Sequence, residues 1–230
     1  MEIQLVSDLF EKWSNRKPES VKLLPQSGSY RKYFRLISEN ISAIATVNND
    51  LRENIAFISF SKHFKSKGLN VPEIYSEDLN NNAYLQQDLG DTTLYDFLKI
   101  NNSDNEFSEK AIKIYKKVID NLIRIQIVGH EGLDYSNCYP RSDFDRQSIM
   151  WDLNYFKYNF LKIAKVPFYE QDLENDFNTF TDFLLKAQNN FFLFRDFQSR
   201  NIMIIDEEPY FIDYQGGRRG DLQYDLASLL

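Results

Sequence analysis

Hydrophobic and polar residues alternate in short runs through the first ninety residues of the chain. Apolar residues at helical spacing over 3–13 come first and predict an amphipathic helix. Short strand-like runs separated by polar turns follow, with one further helical pattern at 50–67 that Gly68 ends. The pattern therefore predicts a five-stranded antiparallel sheet with one inserted helix. The expected strands span 21–24, 30–37, 41–47, 71–75 and 83–87.

The spacing of apolar residues changes after Gly90. Four stretches have helical periodicity, and the second of them follows a cap-like segment at 103–105. A mostly helical lobe is therefore expected after the sheet-rich lobe, which gives an α+β fold of two lobes. Residues 85–90 form the expected hinge, and clefts between lobes are common ligand sites. The expected helices span 92–100, 107–128, 143–164 and 168–188.

Composition and charge narrow the classes of protein that the chain can represent. A hydrophobic content of 43% over 230 residues is ample for a globular core. The net charge is −7 and no basic block is present, which argues against a nucleic-acid partner. The single cysteine, Cys138, excludes an intramolecular disulfide. Without a signal-peptide pattern or an apolar run of about 20 residues, we expect a cytoplasmic protein that does not enter membranes.

Three polar residues interrupt apolar runs near the end of the chain. Residues 192–206 read as strand, tight loop and strand, and a turn leads to another strand at 210–212. Asp196, Asn201 and Asp213 fall where this pattern places loops. Their carboxylate and amide oxygens are hard ligands of the type that Mg²⁺ prefers, so they can hold Mg²⁺ together with a phosphoryl acceptor. As structural alternatives, all three are also common turn or capping residues.

Four sequence motifs carry a resemblance to a known family. The motifs are Gly28-Ser-Tyr-Arg-Lys-Tyr-Phe-Arg35, Asp88-Leu-Gly-Asp-Thr-Thr93, Arg195-Asp-Phe-Gln-Ser-Arg-Asn-Ile-Met203 and Tyr224-Asp-Leu-Ala-Ser-Leu-Leu230. With the order of sheet, helix, hinge and helical lobe, they resemble the aminoglycoside phosphotransferase superfamily, which shares the bilobal protein-kinase fold. Within it they are most similar to bacterial kinases that phosphorylate N-acetylmuramate and N-acetylglucosamine at the anomeric oxygen. The Asp-x-x-x-x-Asn spacing with a downstream Asp is the most specific part.

The resemblance implies an enzyme that moves the γ-phosphoryl group of ATP to a small-molecule hydroxyl, with ATP and Mg²⁺ as cofactors. It implies a catalytic role for Asp196 and makes Asn201 and Asp213 the metal ligands. Arg195 is expected to order the catalytic loop, and Asp225 to support it through hydrogen bonds to the loop backbone. An amino sugar of the cell wall is the expected acceptor, and an aminoglycoside or another cationic alcohol is the alternative.

The candidate residues for nucleotide binding carry a weaker sequence signal than the polar loop residues. Ser27, Gly28 and Ser29 can turn tightly and offer N–H groups and hydroxyls to phosphates, although a plain turn explains them equally well. Arg31 and Arg35 share one face of the expected strand, where they either contact phosphates or line an exposed edge. On sequence grounds both alternatives stay open.

A departure from the kinase pattern concerns the cation on the third strand. Protein kinases hold the phosphates with a third-strand lysine paired to a helix glutamate, yet residues 41–50 contain no lysine or arginine. Glu53 begins the helix where that glutamate is sought and has no obvious partner in the sequence. Either Arg31 or Arg35 substitutes for the lysine, or this part of the site works differently. The missing lysine keeps a non-catalytic nucleotide-binding protein as an alternative, against which the intact polar loop residues argue.

The resemblance also divides the chain into two domains. Residues 1–88 are expected to form the nucleotide-binding lobe, and residues 89–230 the helical lobe with the catalytic loop and metal site. Gln87 and Asp88 lie at the hinge and are therefore candidate nucleotide-binding residues.

A last expectation concerns the end of the chain. Members of the resembled family continue past the Tyr224-Asp-Leu motif with helices that contribute much of the acceptor pocket. The chain is therefore expected to be either a fragment or a protein with an unusually small helical lobe. Apolar surface near Leu226 and Leu229 is then expected to be exposed or covered by a partner.

Overall fold

The computed structural model describes residues 2–25, 30–102 and 107–230. Within these ranges a five-stranded antiparallel sheet is followed by a mostly helical part that carries two small two-stranded sheets. The α+β architecture expected from the sequence is thereby confirmed.

The N-terminal sheet consists of β1 (Ser20–Leu23), β2 (Lys32–Ser38), β3 (Ile41–Val47), β4 (Ile74–Asp78) and β5 (Ala83–Gln87). Its strand order is β1-β2-β3-β5-β4, with every neighbouring pair antiparallel. In the β2–β3 pair, Tyr33 lies opposite Thr46 and Arg35 lies opposite Ile44. Strand β4 begins three residues later than expected, since Pro72 has no N–H to donate to a ladder.

Helix α1 (Glu2–Ser14) covers one face of this sheet. Its buried residues Val6 and Phe10 are four apart and therefore lie on one side of the helix. Because side chains alternate along a strand, the residues between those packed on α1 face the helical part of the molecule. The strand residues packed with α1 are Phe34, Leu36, Ala43, Ala45 and Leu85.

Helix α2 (Leu51–Ser66) connects the sheet to the rest of the molecule. Its N-cap Asp50 accepts hydrogen bonds from the backbone N–H groups of Arg52 and Glu53. The chain leaves the helix through Gly68 at a φ of +69°, which confirms the predicted stop. Its buried aromatic residues contact two rings of the C-terminal part in the main core, with one pair stacked and three pairs edge to face. These rings are Phe57, Phe60, Phe64, Phe192 and Tyr214.

The helical part contains α3 (Leu94–Asn101), α4 (Glu109–Ile127), α5 (Arg146–Phe156), α6 (Glu170–Leu184) and α7 (Gln223–Leu229). Helix α4 is capped by Ser108, whose Oγ accepts a hydrogen bond from the Ala111 N–H at 3.1 Å. The cap expected at 103–105 lies outside the described residues. Helix α5 continues into a π-helical turn, Lys157–Leu161.

Two short strand pairs lie on either side of the loop 194–201: β6 (Phe191–Leu193) with β9 (Arg218–Gly220), and β7 (Ile202–Ile205) with β8 (Glu208–Phe211). Strand β9 has no apolar alternation and was not predicted. The Phe144 N–H donates to the Arg219 carbonyl at 2.7 Å, so residue 144 belongs to an extended segment beside β9. For that reason the helix predicted from residue 143 begins only at Arg146.

The two leucines expected to be exposed near the end of the chain differ in burial. Leu229 is 7% exposed and belongs to the main core, whereas Leu226 is 40% exposed. Several further exposed apolar side chains lie on and after α5. Among them are Tyr155, Phe160, Ile163 and Tyr169.

We expect Gly217→Ala to lower the free energy of unfolding by about 1–3 kcal/mol through overpacking. A Cβ on Gly217 would lie 2.2 Å from Cζ of the buried Phe192 and 2.9 Å from the backbone oxygen of Tyr214. Gly216→Ala is the matched control, because its Cβ would meet only Asp196 Oδ2, at 3.9 Å. Urea unfolding of both variants measures the difference, and equal stability of the two would contradict this packing.

Candidate active site

The structure brings together the three polar residues that interrupt the apolar runs. Asp196 lies in the loop between β6 and β7, Asn201 directly precedes β7, and Asp213 follows β8. The Asn201 Nδ2 group donates to the backbone oxygen of Asp196 at 2.9 Å and to Asp213 Oδ2 at 3.3 Å. Asn201 therefore joins the loop to the residue after the second hairpin strand.

The carboxylate of Asp213 accepts hydrogen bonds from several directions. Its Oδ1 accepts from Arg31 Nη1 at 2.7 Å and from Gln215 Nε2 at 2.9 Å. Its backbone φ is +70°, a left-handed conformation that is uncommon for a residue with a side chain. These contacts fix the direction in which the carboxylate points.

Asp196 is exposed to solvent, although neighbouring protein atoms partly desolvate its carboxyl group. This desolvation, and then the negative charge of Asp213, raise the pKa of Asp196 above the ordinary range of a carboxyl group. Gly216 leaves space next to Asp196 Oδ2, since even a Cβ at that position would stay 3.9 Å away. Asp196 is thus an accessible carboxylate with an increased affinity for a proton.

The side chain of Asp225 is hydrogen-bonded to the backbone of the loop that carries Asp196. Its buried carboxylate accepts from the backbone N–H groups of Phe194 and Arg195, each at 2.8 Å, and from Gln126 Nε2 at 2.9 Å. Burial raises the pKa of Asp225 to about 6, although the hydrogen bonds act in the opposite direction. The predicted hydrogen bonding of Asp225 to the loop backbone is confirmed.

Arg195 is held by a helix of the C-terminal part. Its Nη2 lies 3.0 Å from Asp152 Oδ1 on α5, and the Tyr224 hydroxyl donates to Asp152 Oδ2 at 3.4 Å. The backbone of Arg195 has a φ of +78°, so the residue immediately before Asp196 is also left-handed. These contacts are those of a residue that orders the loop.

Arg31 links the N-terminal sheet to the site. Its Nε lies 3.2 Å from Glu53 Oε2, while its Nη1 binds Asp213. Glu53 also accepts from Asn48 Nδ2 at 3.0 Å. The glutamate without an obvious partner in the sequence is therefore paired with an arginine from the start of the second strand.

Arg35 is paired at the hinge and not beside Asp213. Its Nε lies 2.8 Å from Asp88 Oδ2, and its Nη1 donates to Asp91 Oδ1 at 2.8 Å. Its Nη2 donates to Asp88 Oδ1 at 3.0 Å and to the Gly90 backbone oxygen at 3.1 Å. Of the two candidate arginines, the structure brings only Arg31 to the polar cluster.

Two of the remaining nucleotide-site candidates, Gln87 and Asp88, are not brought to this cluster. The Gln87 side-chain oxygen accepts from the Glu73 N–H at 3.4 Å, on the β4 side of the sheet. Asp88 is occupied by Arg35 as described. Ser27, Gly28 and Ser29 lie outside the described residues.

The donor chemistry of the cluster fits a magnesium ion. Asp213 provides carboxylate oxygens and Asn201 an amide oxygen, and the two side chains are joined by the 3.3 Å hydrogen bond from Asn201 Nδ2 to Asp213 Oδ2. Mg²⁺ binds through one or two such groups and takes its other ligands from phosphates and water. No group of three His, Cys, Asp or Glu side chains in the described part of the chain offers an alternative metal site.

Sequence reasoning missed several partners of the cluster. Gln215 was visible only as the residue two positions after Asp213, and Asp152 has no distinguishing sequence context. Arg218 is fully buried, and its Nε and Nη2 donate to the Gly216 backbone oxygen at 3.1 and 3.0 Å. Burial, and then the positive charge of Arg195, lower the pKa of Arg218. Nothing in a paired Arg218-Arg219 sequence indicates such burial.

The fold and site define the class of protein. Residues 20–230 match the model of the phosphotransferase enzyme family, to which the chain therefore belongs. The N-acetylmuramate/N-acetylglucosamine kinase of Pseudomonas aeruginosa is 25% identical over 223 residues, covering 95% of this chain and 62% of that protein. The kinase of the same name from Neisseria meningitidis is 26% identical over 209 residues, covering 87% of this chain and 58% of that protein. The chain thus spans about three fifths of the length of these curated relatives.

Solved structures have the same fold. The aminoglycoside phosphotransferase APH(4)-Ia superposes with a TM-score of 0.65 at 14% identity, covering 99% of this chain and 76% of that chain. Choline kinase LicA from Streptococcus pneumoniae gives a TM-score of 0.64 at 14% identity, covering 99% and 73%. The expected kinase-like fold is thereby confirmed. None of the helices in the described ranges combines the length and the apolarity that crossing a membrane requires.

Proposed function

We propose that the chain uses MgATP to phosphorylate a hydroxyl group of a small molecule, and that this molecule is an amino sugar. The observation that carries the proposal is the hydrogen-bonded convergence of Asp196, Asn201 and Asp213 at one loop. Membership of the phosphotransferase family supports the reaction type. The names of the curated relatives support the amino-sugar acceptor.

Asp196 is the residue that we assign to the acceptor. Phosphoryl transfer requires little covalent work from the protein, so alignment of the hydroxyl with the γ-phosphorus is the main task. A carboxylate with a raised pKa orients a hydroxyl by accepting its hydrogen bond and takes its proton as the oxygen attacks. The left-handed Arg195 and the buried Asp225 keep this carboxylate in place.

Asp213 and Asn201 are the residues that we assign to magnesium. When bound, the ion would neutralise charge on the transferred phosphoryl group. The hydrogen bonds from Gln215 and Asn201 orient the Asp213 carboxylate before any ligand arrives. Preorganised ligands of this kind avoid reorganisation during the reaction.

The proposal is tested by ADP release with MgATP against three acceptors: N-acetylmuramate, N-acetylglucosamine and kanamycin. We expect acceptor-dependent ADP release with at least one of the two sugars, and its loss when EDTA removes the metal. Phosphorylation of kanamycin alone would replace the amino sugar by a cationic acceptor. If no acceptor increases ADP release and nucleotide binding is independent of Mg²⁺, the phosphotransferase proposal is wrong.

A further inference from the structure

The third strand of the sheet offers no cation to a nucleotide. Its residues that face away from α1 are Ser42, Ile44 and Thr46, since Ala43 and Ala45 pack on that helix. Kinases place a lysine on this strand, paired with a helix glutamate, to hold the phosphates. The helix glutamate position is filled here by Glu53, so half of the pair is present.

Arg31 provides the cation that pairs with Glu53. It precedes β2, and its side chain reaches both Glu53 and Asp213. Its side chain is only 14% exposed. Its Nε and Nη1 make these contacts, and among the described residues its Nη2 has no hydrogen-bond partner.

We infer that Arg31, oriented by Glu53, is the residue that binds the phosphates of the nucleotide in this chain. This inference rests on the proposed function, because it assigns a further residue to the same site. Guanidinium groups bind phosphate oxygens in a forked geometry and keep their charge at every physiological pH. The conventional lysine–glutamate pair is thus replaced by an arginine–glutamate pair whose cation comes from the second strand.

The contact between Arg31 and Asp213 also connects the phosphate-binding residue to the proposed metal site. Asp213 is also the proposed magnesium ligand, so Arg31 Nη1 and the metal would share the same carboxylate group. Arg31 leaves Asp213 for phosphate when the nucleotide binds and keeps Glu53 as its fixed partner. In the ligand-free protein, Arg31 therefore reduces the negative charge that faces an incoming triphosphate.

The test compares the dissociation constants of MgATP and adenosine, measured by isothermal titration calorimetry, for the wild type and Arg31→Met. We expect ATP binding to weaken about 10–100-fold, as for the loss of hydrogen bonds to a charged group, with adenosine binding unchanged. Lys32→Met is the matched control, because Lys32 pairs with Glu2 and lies outside the site. It should change neither constant.

Two further variants separate binding from structural support. Arg31→Lys should recover part of the ATP affinity, and Arg35→Met should alter ATP and adenosine binding by the same factor. Equal weakening of both ligands by Arg31→Met, or no weakening of ATP, would overturn the inference. Wild-type protein that binds no ATP would refute both the inference and the proposed function. Wild-type protein that binds ATP independently of Mg²⁺ and phosphorylates none of the three acceptors would refute the proposed function alone.

Discussion

Asp196→Asn is expected to lower kcat by about 10²–10⁴-fold, the range of general acid–base contributions. The substitution keeps the size of the side chain but removes the carboxylate oxygen that we propose takes the hydroxyl proton. The Asn201 contact to this residue goes to its backbone oxygen, so the loop and the metal ligands should stay in place. ADP release with the accepted sugar measures the rate, and calorimetry measures ATP affinity.

Asp206→Asn provides the control for this prediction. Asp206 is an exposed residue in the turn between β7 and β8, ten positions along the chain, and we expect its variant to keep the wild-type rate. A fall in kcat for Asp196→Asn with unchanged ATP affinity supports the assigned role. A variant that retains more than about a tenth of the wild-type kcat would remove Asp196 from the chemistry.

Asp225→Ala is expected to lower the free energy of unfolding by at least about 3 kcal/mol and to abolish activity, because three donors lose this acceptor at roughly 1–3 kcal/mol each. These are the N–H groups of Phe194 and Arg195 and the amide of Gln126. Two of them belong to the segment that carries Asp196. Urea unfolding measures the stability. Asp221→Ala is the control, because it removes only one hydrogen bond, from the Tyr224 N–H, and should cost less.

The same residue predicts a pH dependence of stability. The pKa of Asp225 is about 6 in the folded protein and about 4 in an unfolded chain. The folded state therefore binds more protons between these values, and the stabilisation from this group is complete below pH 4 and is lost as the pH rises through 6. Asp225→Asn should lack this change. If wild type and Asp225→Asn show parallel melting temperatures between pH 4.5 and pH 7, the ionised state of Asp225 is not disfavoured.

The architecture of the sheet was accessible from the sequence because local patterns determine it. Strand alternation placed β2, β3 and β5 within two residues of their observed bounds, and Gly68 marked the end of α2. Strand β9 was missed because its sequence, Arg218 to Gly220, is held by pairing with β6 and by contact with residues 142–144. Such a strand depends on partners distant in the chain and leaves no local signal.

The polar loop was accessible for a similar reason. Asp196 and Asn201 are five residues apart, so their relation can be read in one stretch of sequence. The partners of Arg31 cannot be found in this way, since Asp213 lies 182 positions further along the chain. From the sequence, Arg31 and Arg35 were equal candidates for the cation that binds phosphates, because both lie on the same face of the expected strand. The structure separates them by their partners, since Arg31 pairs with Asp213 and Arg35 with Asp88 and Asp91 at the hinge.

Those two arginines give the second strand an unequal pair of attachments. Arg31 and Arg35 are four residues apart, which is about 13 Å along an extended chain. Each of them is paired with residues outside β2. The tie from Arg35 to Asp88 and Asp91 involves the hinge itself, whereas the tie from Arg31 ends on a carboxylate that a ligand also needs. Nucleotide binding would thus break the contact between Arg31 and Asp213 and leave Arg35 paired with Asp88 and Asp91. Nucleotide binding would then change how freely the sheet moves relative to the helical part.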